Sequence, residues 1–175
     1  MNRKLFYESK AKLIGLASFG IFLSLVFGTV AICMMMGIIK MNGIMFFLSM
    51  IITMIMIPVS VKLISKVKRN EPTVIVSAEG IEMNGYVPKV GFIPWEDIDG
   101  CIPYSLKGQN LIGFILYDEE KYLNKFTGMN RKILEANRSL GYPAINVSLN
   151  TLKEKESFIK ALEEQNVGFY LEKEQ

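Results

Sequence analysis

Six carboxylates stand in two short groups: Glu96, Asp97 and Asp99 follow the single tryptophan, and Asp118, Glu119 and Glu120 follow an apolar run. Neighbouring carboxylates can divide acid and base roles when their surroundings separate their pKa values. Both groups fall at the ends of expected strands among other charges, where solvated turn residues are the expectation. Asp118, Glu119 and Glu120 also suit the start of a helix, whose N-terminal dipole favours negative charge. The sequence contains no histidine. That removes the commonest general base, the commonest transition-metal ligand and the usual partner of a Ser or Cys nucleophile. No phosphate-binding loop, nucleotide fingerprint or metal-ligand spacing occurs. The expectation is a protein that is not an enzyme, with no catalytic residue and no cofactor.

Sulfur offers little more. Cys33 lies inside an apolar run and Cys101 in a polar-rich part of the chain, which speaks against a disulfide between them and leaves a zinc site without ligands. Eight of the eleven methionines lie between positions 34 and 56. Thioether clusters can hold Cu(I), but a Met-rich apolar segment without a repeated exposed motif reads as adaptable packing material, so no metal site is assigned.

Cations form two groups that could meet anions. Lys62, Lys66, Lys68 and Arg69 form a basic stem in which Lys62, Lys66 and Arg69 share a face at helical spacing. Each could hold an anionic lipid headgroup at about 1 kcal/mol, or serve only as a topological anchor. Lys121, Lys125, Arg131, Lys132 and Arg138 make a second group. Lys125, Arg131 and Lys132 are the candidate interaction surface, set against a plain solvated helix face and a contact with an anionic membrane leaflet. Residues 1–72 carry nine Lys/Arg against two acids, a net of +7, whereas 73–175 carry eleven against fifteen, a net of −4. An acidic larger part argues against nucleic acid as the partner, because phosphate neutralisation needs a clustered basic face.

The elements that must position these residues begin with two uncharged runs, 13–39 and 41–61. Each is long enough to cross a hydrocarbon core of about 30 Å as a helix. The break between them is a few turn-forming residues, so the spans are antiparallel neighbours, and a cleaved signal peptide is excluded by the second span that follows. Four cations precede the first span and four follow the second, against Lys40 alone in the connection. The positive-inside rule then puts both termini in the cytoplasm, on a two-span plasma-membrane protein. Gly20, Ser24 and Gly28 recur every fourth residue, and Ser49 and Thr53 repeat the spacing. Such faces let helices approach closely in lipid, either to hold the hairpin together or to make a homo-oligomer through the spans. Pro58 is expected to bend the second helix, and Pro72 to end its charged continuation.

From residue 73 onward the pattern is strands first. Expected strands cover 73–77, 81–83, 90–98, 101–102 and 111–117, with Asn84-Gly85 as a hairpin dipeptide and 105–110 as a loop. Trp95 reads as an alternating strand residue, a core or core-rim anchor with its N–H bonded to backbone, with a recognition hot spot as the other reading. Tyr122, Phe126, Met129, Ile133, Ala136 and Leu140 keep helical spacing interrupted by Gly128, giving one or two helices. A short strand at 144–148 follows, and Thr151 with Glu154 forms a capping box for a last helix with Phe158, Ile159 and Leu162 inward. The expected fold is a membrane α-helical hairpin (1–72, with its basic stem) and an α+β domain (73–175): a curved antiparallel sheet with a helical insertion and a C-terminal capping helix.

Several residue groups resemble an uncharacterised bacterial family of two-transmembrane-helix proteins with a pleckstrin-homology-like cytoplasmic domain. They are Phe6-Tyr7-x-Ser9-Lys10, Glu79-Gly80-Ile81, Gly91-x-Ile93-x-Trp95-x-Asp97-Ile98, Lys121-Tyr122-Leu123, Lys132-x-Leu134-x-Ala136-Asn137 and Gly141-x-Pro143-x-Ile145-x-x-Ser148. The resemblance implies a fold and a topology, and no reaction. Pleckstrin-homology domains that bind phosphoinositides use a basic loop near the first hairpin, where residues 84–90 here offer only Lys89. The expected role is a membrane-anchored interaction or regulatory protein that meets the bilayer and a protein partner. The other reading is an immunity protein guarding its host against a bacteriocin or a delivered toxin, since small two-span proteins with such domains look similar to some of these.

Overall fold

A computed structural model describes residues 3–40, 42–86 and 88–170. The chain divides into two compact units. One is a helical pair, Ser9–Asn70, and the other combines the residues before it with those after it.

The helical pair consists of α1 (Lys10–Met35) and α2 (Gly43–Arg69). At 1.5 Å per residue each runs about 40 Å. Both are long and apolar enough to cross a membrane. Only 17% and 11% of their most apolar stretches is buried, the reverse of a helix in the core of a water-soluble protein. The first helix ends four residues before the uncharged run does. Gly37 takes φ +73°, its N–H donates to Met34 O, and the Ile38 N–H donates to Cys33 O. That is the Schellman pattern, which needs a residue tolerant of left-handed backbone. Asn42 caps α2, its side-chain oxygen accepting from the Met45 N–H at 3.1 Å. The helix runs through Pro58 and stops at Asn70, which adopts φ 49°. Ala17, Gly20, Ser24 and Ala31 of α1 are buried, as are Ser49 and Ser60 of α2. A Cβ on Gly20 would lie 2.4 Å from Ser60 Oγ, and one on Gly28 3.8 Å from Thr53 Cγ2. The small-residue stripe therefore lies where the two helices meet.

The second unit opens with a strand where no secondary structure was expected ahead of the first span. β1 (Lys4–Phe6) pairs antiparallel with β2 (Val74–Val76), with Leu5 opposite Ile75. β3 (Gly80–Met83) and β4 (Gly91–Pro94) complete a sheet of order β1-β2-β3-β4. The expected strand over 90–98 is broken: Trp95–Asp97 forms a 3₁₀ turn, and β5 (Ile98–Leu106) begins a second sheet with β6 (Gln109–Leu116) and β7 (Ile145–Ser148). Pro94 has no N–H for the ladder, so the chain can leave the first sheet there. The expected loop at 105–110 shrinks to Lys107 (φ 50°) and Gly108 (φ 78°), the two positive-φ positions of a tight hairpin. Asn84-Gly85 is not a hairpin turn. Both its amides donate to Thr73 O at 3.0 Å, and it opens the longer connection to β4.

Between β6 and β7 lie α3 (Glu120–Leu123) and α4 (Gly128–Ser139), and α5 (Lys155–Glu163) follows β7. The expected capping box at α5 is absent. The Thr151 hydroxyl donates to Ser148 O, while the Lys153 N–H donates to Tyr7 O, so this segment lies along the N-terminal strand and the helix starts only at Lys155. One core joins both sheets and the last helix: Val74, Ile81 and Ile93, then Ile112, Phe114 and Val147, then Phe158 and Leu162. Phe6 adds its ring edge-to-face on Phe158, 5.2 Å between centroids. The fold is thus two helices able to span a membrane and an α+β unit of two antiparallel sheets, where one curved sheet was expected.

Candidate functional site

The helical insertion gathers Asp118, Glu119 and Glu120, Asp97 of the other carboxylate group and most of the second cation group. Asp99 instead accepts from the Tyr170 hydroxyl at 3.1 Å. β6 delivers the chain to Asp118, whose carboxylate accepts the Lys121 N–H at 3.1 Å and so begins α3. That is the helix-start role expected of it. α3 buries Tyr122 and Leu123, which fixes Lys121 and Tyr122 beside the 3₁₀ turn. Asp97 Oδ2 accepts from Lys121 Nζ at 2.6 Å and also from the Tyr122 hydroxyl. The hydrogen bonds from Lys121 and Tyr122 hold the Asp97 carboxyl below its ordinary pKa. Burial, then the bond to Asp97, pushes the Tyr122 phenol up. Lys125 Nζ lies 4.3 Å from the centre of the same ring.

A second set of ties closes the insertion onto itself. Glu119 accepts the Ala144 N–H at 2.9 Å, linking α3 to the start of β7. Arg138 reaches Glu120 at 2.6 Å and Glu119 at 3.6 Å. Arg131 binds Glu135 at 2.6 Å, Asn124 at 2.8 Å and Glu120 at 3.4 Å. Glu119 and Glu120 and the two arginines, which looked like separate features, are each other's partners. Among the described residues Lys125 and Lys132 form no ion pair with a carboxylate, and Lys125 lies over the Tyr122 ring, where its charge also acts on Asp97.

Apart from Leu134, the apolar residues of α4 are not buried against the domain. Met129, Ile133, Ala136 and Leu140, picked out in the sequence only by their helical spacing, are exposed, Met129 at 72% and Leu140 at 58%. The buried side of the helix is Leu134, which packs with Leu123, Ala144 and Phe126. At 3.6 residues per turn, Arg131, Leu134 and Arg138 fall on one side, and 129, 133, 136 and 140 on the opposite one. One observable in the sequence marked this. Arg131 and Arg138 flank Leu134 on its own side and need the acids of α3, so that side had to face the domain.

The remaining candidates lie apart from this cluster. Trp95 is half-buried against the main core, and its Nε1–H donates to Ser77 O at 3.0 Å from a 3₁₀ turn, where an alternating strand residue was expected. Lys62, Lys66, Lys68 and Arg69 occupy the last turns of α2, where cations suit the negative helix end. Lys4, counted with the topological cations, instead pairs with Glu164 of α5. Comparison with protein-family models, curated proteins and solved structures finds no match for this chain.

Proposed function

We propose that this chain is a membrane-anchored, non-enzymatic interaction protein, with a pleckstrin-homology-like domain held at the inner face of a bacterial plasma membrane and both termini cytoplasmic. The observation that carries the reading is the pairing of β1 with β2 across the two membrane-length helices. Strands joined by backbone hydrogen bonds lie on the same side of any bilayer, so the chain leaves one sheet, crosses twice and returns to that sheet. The excess of cations at the sheet-proximal ends of both helices favours the cytoplasmic side for it. The insertion between β6 and β7 and the closing helix that fills the core support the pleckstrin-homology-like reading. The non-enzymatic part is supported by the use of Asp97, Glu119 and Glu120 as internal ties.

Impermeant thiol labelling of intact cells tests the topology. Lys40→Cys, between the helices, should label from outside, and Lys153→Cys only after permeabilisation. Labelling of both positions from outside, or the reverse pattern, overturns the reading.

A further inference from the structure

The apolar side of α4 is largely uncovered, with Ile133 bordering a concavity shared with Tyr86, Pro88 and Val90. Met129 (72% exposed), Ile133 (39%) and Leu140 (58%), with Ala136 between them, run along the helix at positions i, i+4, i+7 and i+11. The opposite side is fixed to the domain by Leu134 and the arginine–glutamate ties. A short helix that is docked on its polar-paired side and apolar on its free side is amphipathic in the reverse of the usual sense. Two observations say what the free side meets. Lys132, beside Ala136 on the helix surface and without a carboxylate partner among the described residues, is exposed. The chain also carries two helices able to cross a membrane, which keep this unit within a tether's reach of a bilayer. Apolar side chains edged by lysine are the composition that lies in a headgroup layer, the apolar groups entering the acyl boundary and the lysines meeting anionic lipid.

We infer that α4 is an interfacial helix, resting Met129, Ile133, Ala136 and Leu140 on the anionic leaflet of the membrane that the spans cross. This rests on the anchored reading above and names the surface the domain meets. It assigns a contact to Lys132 and none to Arg131, whose guanidinium is engaged by Glu135, Asn124 and Glu120.

The test uses the full chain reconstituted in phosphatidylcholine vesicles with and without phosphatidylglycerol, in a Cys33→Ser background with Cys101 left buried. An environment-sensitive fluorophore is placed through Met129→Cys or, about a quarter-turn round the helix, Asn130→Cys. Lipids carrying a nitroxide near the headgroup report contact. The expected result is a blue-shifted emission at 129, quenched several-fold more than at 130, with quenching deepened by phosphatidylglycerol and reduced by Lys132→Gln. Emission at 129 unaffected by the nitroxide lipids overturns the inference. So does a blue shift that grows with protein-to-lipid ratio without lipid quenching, because a second copy then covers the stripe. Resistance of the chain to alkaline carbonate extraction reads the spans alone. Failure of the α4 contact in a carbonate-resistant protein is therefore distinct from failure of the anchored reading.

Discussion

Phe6→Ala is the substitution whose effect discriminates most sharply between a free N-terminal tail and a strand of the domain. Phe6 precedes the first helix by only a few residues and is 5% exposed, in the same core as Val74 and Phe158. Removing a buried phenyl ring costs about 3–5 kcal/mol, through lost transfer energy and the cavity left behind. A domain with a total stability of about 5–15 kcal/mol would lose a large fraction of it. At about 1.4 kcal/mol per tenfold change, the folded-to-unfolded ratio falls by roughly two to three and a half powers of ten.

The protein supplies its own reporter. Cys101 is fully buried, and burial raises its thiol pKa to about 12, so it reacts only when the domain opens. In a Cys33→Ser background, thiol labelling of the full chain in detergent across a urea series gives the opening free energy. Phe6→Ala should shift the midpoint strongly. Leu5→Ala, at a position 46% exposed on the same strand, should shift it by less than about 1 kcal/mol. Equal protection of Cys101 in Phe6→Ala and the unaltered chain would refute the place of β1 in the sheet.

Other outcomes follow from single contacts. Gly20→Leu drives a side chain into Ser60 and should weaken the helical pair by about 1–3 kcal/mol, read as loss of disulfide cross-linking between cysteines at positions 28 and 53, with Ser60→Gly partly restoring it. Gly108→Val places a β-branched residue at φ 78° and should cost about 1–3 kcal/mol by the Cys101 assay, whereas Gly108→Asn should cost less. Asp97 has a lowered folded pKa, so its ties to Lys121 and Tyr122 stabilise the domain above the ordinary carboxylate pKa and are lost as pH falls through the folded value. Asp97→Asn should flatten that acid limb of the stability profile, and an unchanged limb would assign it to other carboxylates.

The helices were legible because charge-free length is a property of composition, read without knowing any neighbour. Their ends were less so: the turn at Gly37 and the cap at Asn42 depend on backbone geometry that the run of apolar residues overrides in any hydropathy reading. Local strand signals at 74–76, 81–83 and 111–116 held because β-branched and aromatic residues alternate there. β1 was missed because three residues give no period to detect, and its partner lies some seventy residues away beyond both helices. Thr151 and Glu154 satisfied the spacing of a capping box, yet the backbone of 152–153 instead meets Glu8 and Tyr7. The carboxylates of the insertion were seen individually, but their pairing was not, since Asp97 with Lys121 and Glu119 with Ala144 are separated by a strand pair or a helix.

An insertion of two membrane-length helices between β1 and β2 ties the folding of the domain to the state of the hairpin. If only one helix crosses a bilayer, Lys4–Phe6 and Val74–Val76 end on opposite faces, with about 30 Å of hydrocarbon between them. The ladder between them then cannot form, Phe6 is absent from the core, and Lys4 cannot reach Glu164. The domain would lose an edge strand and the about 3–5 kcal/mol assigned to the Phe6 ring, leaving β2 as an open edge. A correctly doubled-back pair restores all of these at once, because both helix ends then return to one sheet. Chains arrested with a single span, made by placing two lysines in α1 at Leu16 and Phe22, should therefore show rapid Cys101 labelling even though no residue of the domain core has been changed. Full protection of Cys101 in such chains would show that the domain folds without its N-terminal strand.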